Sequence, residues 1–117
     1  MGRKTFNSKV AGVTKNNPDG KNRQGYIEAC CKPGQELVLK RELDNPYDSH
    51  AIGVWVKFKP WFRAEKEFQI GYLNRQVAKE VAEHIDPGGK ATARIKNITG
   101  GTEGKETLGV NIEVTLE

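Results

Sequence analysis

Asn45, Tyr47 and Asp48 fall together in the stretch Asp44-Asn45-Pro46-Tyr47-Asp48-Ser49-His50. They supply an amide that both donates and accepts, an aromatic face with a hydroxyl, and a carboxylate that only accepts. Pro46 fixes its own φ and pushes Asn45 toward extended geometry. Asp44, Asn45 and Asp48 can fold back onto neighbouring backbone N–H groups and give the turn a defined shape. A rigid turn of this kind suits the wall of a binding site. The carboxylate is its informative member, since it repels phosphate but accepts a hydrogen bond from a free hydroxyl. The residues alone leave a second reading equally open, in which Asp48 caps the turn and orients Tyr47.

Catalysis finds little support. Ser8, Ser49, His50 and His84 lie in no nucleophile-elbow context. His50 beside Asp48 makes two metal ligands without a third. Cys30 and Cys31 are neighbours, too close for an unstrained disulfide and unable to frame a zinc site, so they read as reduced thiols with at least one in the core. The glycines of residues 100–105 precede Lys105, but no Ser or Thr follows it and no helix opens there. We therefore expect a non-catalytic protein without cofactor or metal.

Charge points to an anionic partner. The net charge is +4, and residues 1–41 carry nine Lys/Arg against three Asp/Glu. Single-stranded nucleic acid is held by cationic grooves and by aromatic faces on which bases stack. Tyr47 can stack a base, and Asn45 can meet a base edge or a terminal hydroxyl. Lys15, Lys21, Arg23 and Lys40 are the candidate phosphate contacts, with Arg75 at the start of a helix. The rival class is a protein-interaction module that binds a polypeptide. Steep weakening with salt separates the two.

The elements that must position these residues are strands. Strands are expected over residues 6–14, 36–42, 52–58, 68–73, 90–98 and 110–116, the first without a cleanly amphipathic pattern, so that both its faces are expected to be partly covered. The clearest sets Ile52, Val54, Val56 and Phe58 against Gly53, Trp55 and Lys57. Asn22 is placed to cap a helix running to residue 32, ahead of Pro33-Gly34. Asn74 caps a better one, residues 75–85, whose Val77, Ala78, Val81, Ala82 and Ile85 form one stripe. Residues 15–21 read as an exposed loop, 59–67 as a basic and aromatic loop carrying Trp61 and Phe62, and 99–105 as a flexible loop. The 36% apolar content is concentrated in these periodic runs, which favours one folded domain, residues 1–117. The expected fold is mainly β with two short helices (α+β), a small six-stranded antiparallel barrel of OB-like or SH3-like type. No apolar run is long enough to cross a bilayer and the first residues lack a signal peptide's apolar stretch, so a cytoplasmic location is expected.

The order of three groups, Asn-Pro-Tyr-Asp at 45–48, Ala-Ile-Gly-Val at 51–54 and Ile-Gly-Tyr-Leu at 70–73, resembles the HIRAN domain family. Val10-Ala11-Gly12-Val13, Asn22-Arg23-Gln24 and the run from Leu37 to Glu42 extend the likeness over nearly the whole chain. The resemblance implies an OB-related barrel, found free-standing in bacteria and as an accessory domain of fork-remodelling translocases. It implies capture of single-stranded DNA by a free 3′-hydroxyl, with roles in DNA repair or replication and helicase or nuclease proteins as associates. Asn45, Tyr47 and Asp48 then fill the pocket, Tyr47 stacking and Asp48 near the hydroxyl. Thr14 and Lys15 stand where eukaryotic members have an Arg-Tyr pair, and residues 99–108 lack the aromatic that closes the pocket there. Trp61 and Phe62 are alternatives for that role, or else pack onto the barrel or another chain.

Overall fold

A computed structural model describes residues 3–59 and 63–117, so Trp61 and Phe62 lie outside the described residues. Six strands, β1 (Lys4–Ala11), β2 (Glu36–Arg41), β3 (Ile52–Phe58), β4 (Lys66–Leu73), β5 (Ala91–Thr99) and β6 (Gly109–Leu116), close into a barrel in the order β1-β4-β3-β2-β5-β6. Every neighbouring pair is antiparallel. Two helices, α1 (Arg23–Cys30) and α2 (Arg75–Ile85), complete the fold. The expected six-stranded barrel with two short helices is the observed one.

Closure follows from the alternation. Ile52, Val54, Val56, Ile70, Ile95, Val110, Ile112 and Val114 turn inward and are fully buried. Phe58 continues the inward pattern of β3 but is 38% exposed, because β3 runs beyond the barrel end there. Ile27 of α1 and the stripe Ala78, Val81 and Ala82 of α2 add to the same core. Arg41 clamps the far end of α2 by donating to both carboxylate oxygens of Asp86 at 3.1 Å. That pairing holds the Asp86 carboxyl below its ordinary range.

Several boundaries differ from expectation by one to three residues, and the following have clear local causes or partners. The first strand stops at Ala11 rather than at residue 14, because Gly12 adopts φ 73° and Lys15 N–H closes a turn on its carbonyl at 3.1 Å. Thr14 therefore sits in that turn and not on a strand. The first helix ends at Cys30, and Cys31 is already extended at φ −104°, ψ 135°. Pro33 disfavours helix in the residue before it, so the last turn is lost. The fourth strand begins two residues early, at Lys66, which pairs with Phe58.

Cys30 is buried, Cys31 is half-buried, and both are free thiols. Burial pushes the Cys31 thiol up to about 12, and Cys30 beside it adds to the shift. A raised folded-state value means that this stability is present in full below the unfolded thiol's 9.0 and is lost as pH rises from there toward 12. At pH 9, Cys31 should react with a thiol reagent far more slowly in the native protein than in the urea-unfolded chain. Equal rates would mean that the thiol sits in water.

Candidate functional site

The turn between β2 and β3 is built by its own side chains. Glu42 N–H continues the ladder to the Ala51 carbonyl at 2.9 Å, so the ten residues 42–51 leave from and return to one point. The Asn45 side-chain oxygen accepts from the N–H groups of Tyr47 (2.9 Å) and Asp48 (3.1 Å), and Asp48 Oδ1 accepts from His50 N–H at 2.9 Å. These local bonds are what Asn and Asp contribute to turns. Asn45 Nδ2 also donates to Glu42 Oε1 at 3.0 Å, and the Tyr72 hydroxyl donates to the same oxygen at 3.0 Å. Asn45 is thus committed to the turn, with one amide hydrogen left for a ligand. Tyr47, by contrast, is 85% exposed.

The opposite wall depends on two glycines and one buried arginine. A Cβ on Gly71 would stand 2.4 Å from the Ala11 carbonyl oxygen, so only glycine lets β1 come close enough to pair Ala11 with Tyr72. Arg23 opens α1 at 5% exposure. Its Nη1 donates to the Gly12 carbonyl at 2.9 Å and its Nε to Asn17 Oδ1 at 2.8 Å. The guanidinium carbon lies 5.4 Å from the centre of the Tyr72 ring. Burial pulls this group below its ordinary value, opposed by Tyr72 and Glu42. Asn17 in turn donates to the Gln69 carbonyl at 3.0 Å, and Asn16 bridges to Asn22. The 15–21 segment is the exposed loop expected, with only Asn17 half-buried, and it is tied to β4 and to the start of α1 by these bonds.

The third side is the start of α2. Asn74 Oδ1 accepts from Val77 N–H at 3.0 Å, which satisfies one of the donors a helix start leaves free. Arg75 follows with its side chain 76% exposed. Its Nη2 donates to the Tyr47 carbonyl, and its Nε lies 3.9 Å from Asp48 Oδ2. The turn and the helix are so connected through Arg75.

These three sides enclose an open cavity of about 770 Å³. Of the residues singled out in the sequence, Lys15, Arg23, Asn45, Tyr47, Asp48 and Arg75 line it. Thr14, Lys21 and Lys40 do not. Lys40 Nζ lies 2.6 Å from Glu67 and 4.1 Å from the centre of the Trp55 ring, on the outer face of β2 and β3. Its charge is already matched there. Arg23 is the floor of the cavity, held by protein partners, and not the freely reaching phosphate ligand its sequence position suggested. Sequence reasoning missed Glu42, Tyr72 and Asn74 as wall residues. Tyr72 carried a signal, because it follows the one glycine that β1 must approach. Among the described residues no three His, Cys, Asp or Glu side chains gather to hold a metal, and no helix is long and apolar enough to cross a membrane.

The sequence matches the HIRAN domain family over residues 5–117. The chain belongs to this family. HIRAN domains are known generally as DNA-binding domains, and the domain by itself is not catalytic. In structure, the chain is similar to the HIRAN domain of human HLTF at 17% identity and TM-score 0.61, covering 96% of this chain and 74% of that one. It is similar also to a protein from Lactobacillus plantarum at 19% identity and TM-score 0.62, covering 99% of this chain and 100% of that one. At such identities the likeness is one of fold. No curated protein matches the chain in sequence.

For this HIRAN domain, the two arginines of the cavity should separate cleanly in a urea titration. Arg23→Ala removes buried charge-assisted hydrogen bonds and should cost about 1.5–3 kcal/mol. Arg75→Ala, at an exposed site, should stay within about 0.5 kcal/mol. The reverse order would mean that Arg23 is not the floor.

Proposed function

We propose that this HIRAN domain binds single-stranded DNA by a free 3′ end seated in the cavity, as a non-catalytic module of DNA repair or replication. The observation that carries the reading is the pairing of an exposed stacking face, Tyr47, with a carboxylate, Asp48, on one self-clamped turn beside Arg75. Asp48 Oδ1 is taken by His50 N–H, while Oδ2 stands 3.9 Å from Arg75 Nε and is available to accept from a ligand hydroxyl. A terminal 3′-hydroxyl supplies that donor, whereas an internal nucleotide of DNA does not.

The charge balance of the walls supports the same reading. The cavity is lined by three cations, Lys15, Arg23 and Arg75, and three carboxylates, Glu42, Asp44 and Asp48. A purely basic groove attracts any polyanion along its length. A mixed cavity favours a strand terminus, whose last sugar is uncharged and whose phosphates can stay with Lys15 and Arg75 at the rim.

Two measurements test this. At fixed salt, an oligonucleotide ending in a 3′-hydroxyl should bind more tightly than the same strand ending in a 3′-phosphate, which brings negative charge to Asp48. Equal affinities would remove end recognition while leaving DNA binding. Tyr47→Ala should cost about 1–3 kcal/mol of binding free energy if a base stacks on the ring, with the unfolding midpoint unchanged because the ring is exposed. Unchanged affinity would mean that no base uses Tyr47.

A further inference from the structure

A second cationic feature lies on the outer surface of the barrel, and nothing in the cavity accounts for it. Lys9 of β1 stands opposite Asn111 of β6, which is followed across the sheet by Asn97 of β5. Asn111 Nδ2 donates to Asn97 Oδ1 at 3.2 Å. The ladder between β5 and β6 slips here, pairing Ile95 with Ile112 and Asn97 with Asn111, so that Lys96 is an extra residue. Such a bulge re-aims side chains. Ile95 remains buried, and Lys96 and Asn97 are both exposed in succession where alternation would have sent one inward. With Asn7 and Ser8, these residues line a depression of about 410 Å³ that contains no carboxylate.

Among the described residues neither Lys9 nor Lys96 forms an ion pair, so both charges are available to a ligand. The contrast with another polar depression on the barrel surface is informative. That one, of about 570 Å³, mixes Arg3, Lys90 and Arg94 with Glu36, Glu113 and Glu117, and offers a polyanion little net attraction. Glu113 bounds the Lys9 patch from its place opposite Asn7, but it also has Arg94 opposite it on the other side.

The patch adjoins the cavity. Ser8 lines the patch, and its hydroxyl accepts from Asn74 Nδ2 at 3.4 Å; Asn74 lines the cavity. Lys9 is two residues from Ala11 of the cavity wall, about 7 Å of extended strand. From these observations we propose that the patch of Lys9, Lys96, Asn7, Asn97 and Asn111 is a track for the sugar-phosphate backbone of the strand leaving the cavity. The two lysines neutralise phosphates. The asparagine amides donate to phosphate oxygens without regard to base. The assignment rests on the end-binding reading of the cavity and extends it to the nucleotides behind the end.

The test compares two oligothymidylates with free 3′-hydroxyls, of about three and about twelve nucleotides, since sites of single-strand binding domains span roughly 4–16. Lys9→Ala/Lys96→Ala should weaken the long strand by roughly three- to tenfold, the scale of two exposed ion pairs. It should also flatten the plot of log affinity against log salt by about 1.4, near 0.7 for each phosphate that is no longer neutralised. The short strand should bind the variant as it binds the unaltered protein. Lys79→Ala, an exposed lysine of α2 that lines neither depression, measures the general effect of removing a charge. The track is overturned if the long strand binds the double variant unchanged, if both lengths weaken equally, or if Lys79→Ala has the same effect per charge. Failure of the unaltered protein to bind either strand would instead overturn the end-binding reading itself, and the track with it.

Discussion

The site depends on one carboxylate oxygen. Glu42 Oε1 accepts from the Tyr72 hydroxyl and from the Asn45 amide, both at 3.0 Å. By doing so it ties the turn after β2 to the strand that faces it across the cavity. Asn45 passes the constraint on, because its oxygen holds the backbone N–H groups of Tyr47 and Asp48. Tyr72 passes it the other way, lying under the guanidinium that fixes the Gly12 turn. Glu42 thereby adds a side-chain tie between walls that the β3–β4 ladder and Arg75 also connect. A half-exposed carboxylate with two donors is a modest interaction taken singly, about 1.5–3 kcal/mol per charged hydrogen bond. Its importance lies in how many residues inherit their position from it.

That arrangement also explains why a binding domain can carry a ring as exposed as Tyr47. The ring contributes little to the barrel core, and its backbone is held on both sides by Asn45 and by Arg75. Preorganising the turn reduces the ordering cost of binding. Two glycines help to shape the cavity wall: Gly12 at φ 73° and Gly71 against the Ala11 carbonyl. Membership of the HIRAN family, known generally as DNA-binding domains, gives this geometry a setting on a closed six-stranded antiparallel barrel.

Much of the barrel was legible in the sequence, and the reasons are local. β3 and α2 match their expected limits because their apolar periods, two and about 3.6, extend over whole elements and end at strong punctuation, Asn74 at one end of α2 and Pro87-Gly88 beyond the other. β1 was read too far because Val10 to Thr14 contain no proline or polar turn cluster to stop a strand, and only the positive φ of Gly12 reveals the turn. The turn from Asn45 to Asp48 was readable because its bonds are to residues two or three positions away. Arg23 was not, since its burial depends on Gly12 and Asn17 folding back over it, and no periodicity marks a charged residue as interior. Lys40 misled for the complementary reason: its partner, Glu67, arrives from β4. The bulge at Lys96 exists only as a register between two strands and has no signature in either one.

The central claim is that the cavity between the Asn45–Asp48 turn, the Gly12 turn and the start of α2 is where DNA binds. Mapping backbone amide chemical shifts while titrating an unlabelled oligonucleotide with a free 3′-hydroxyl tests it most directly. The largest saturable changes should fall on Gly12, Lys15, Tyr47, Asp48 and Arg75, with smaller ones spreading over Lys9, Lys96 and Asn111. Changes centred on the outer face of β2 and β3 around Lys40 and Trp55, with the turn unmoved, would contradict it.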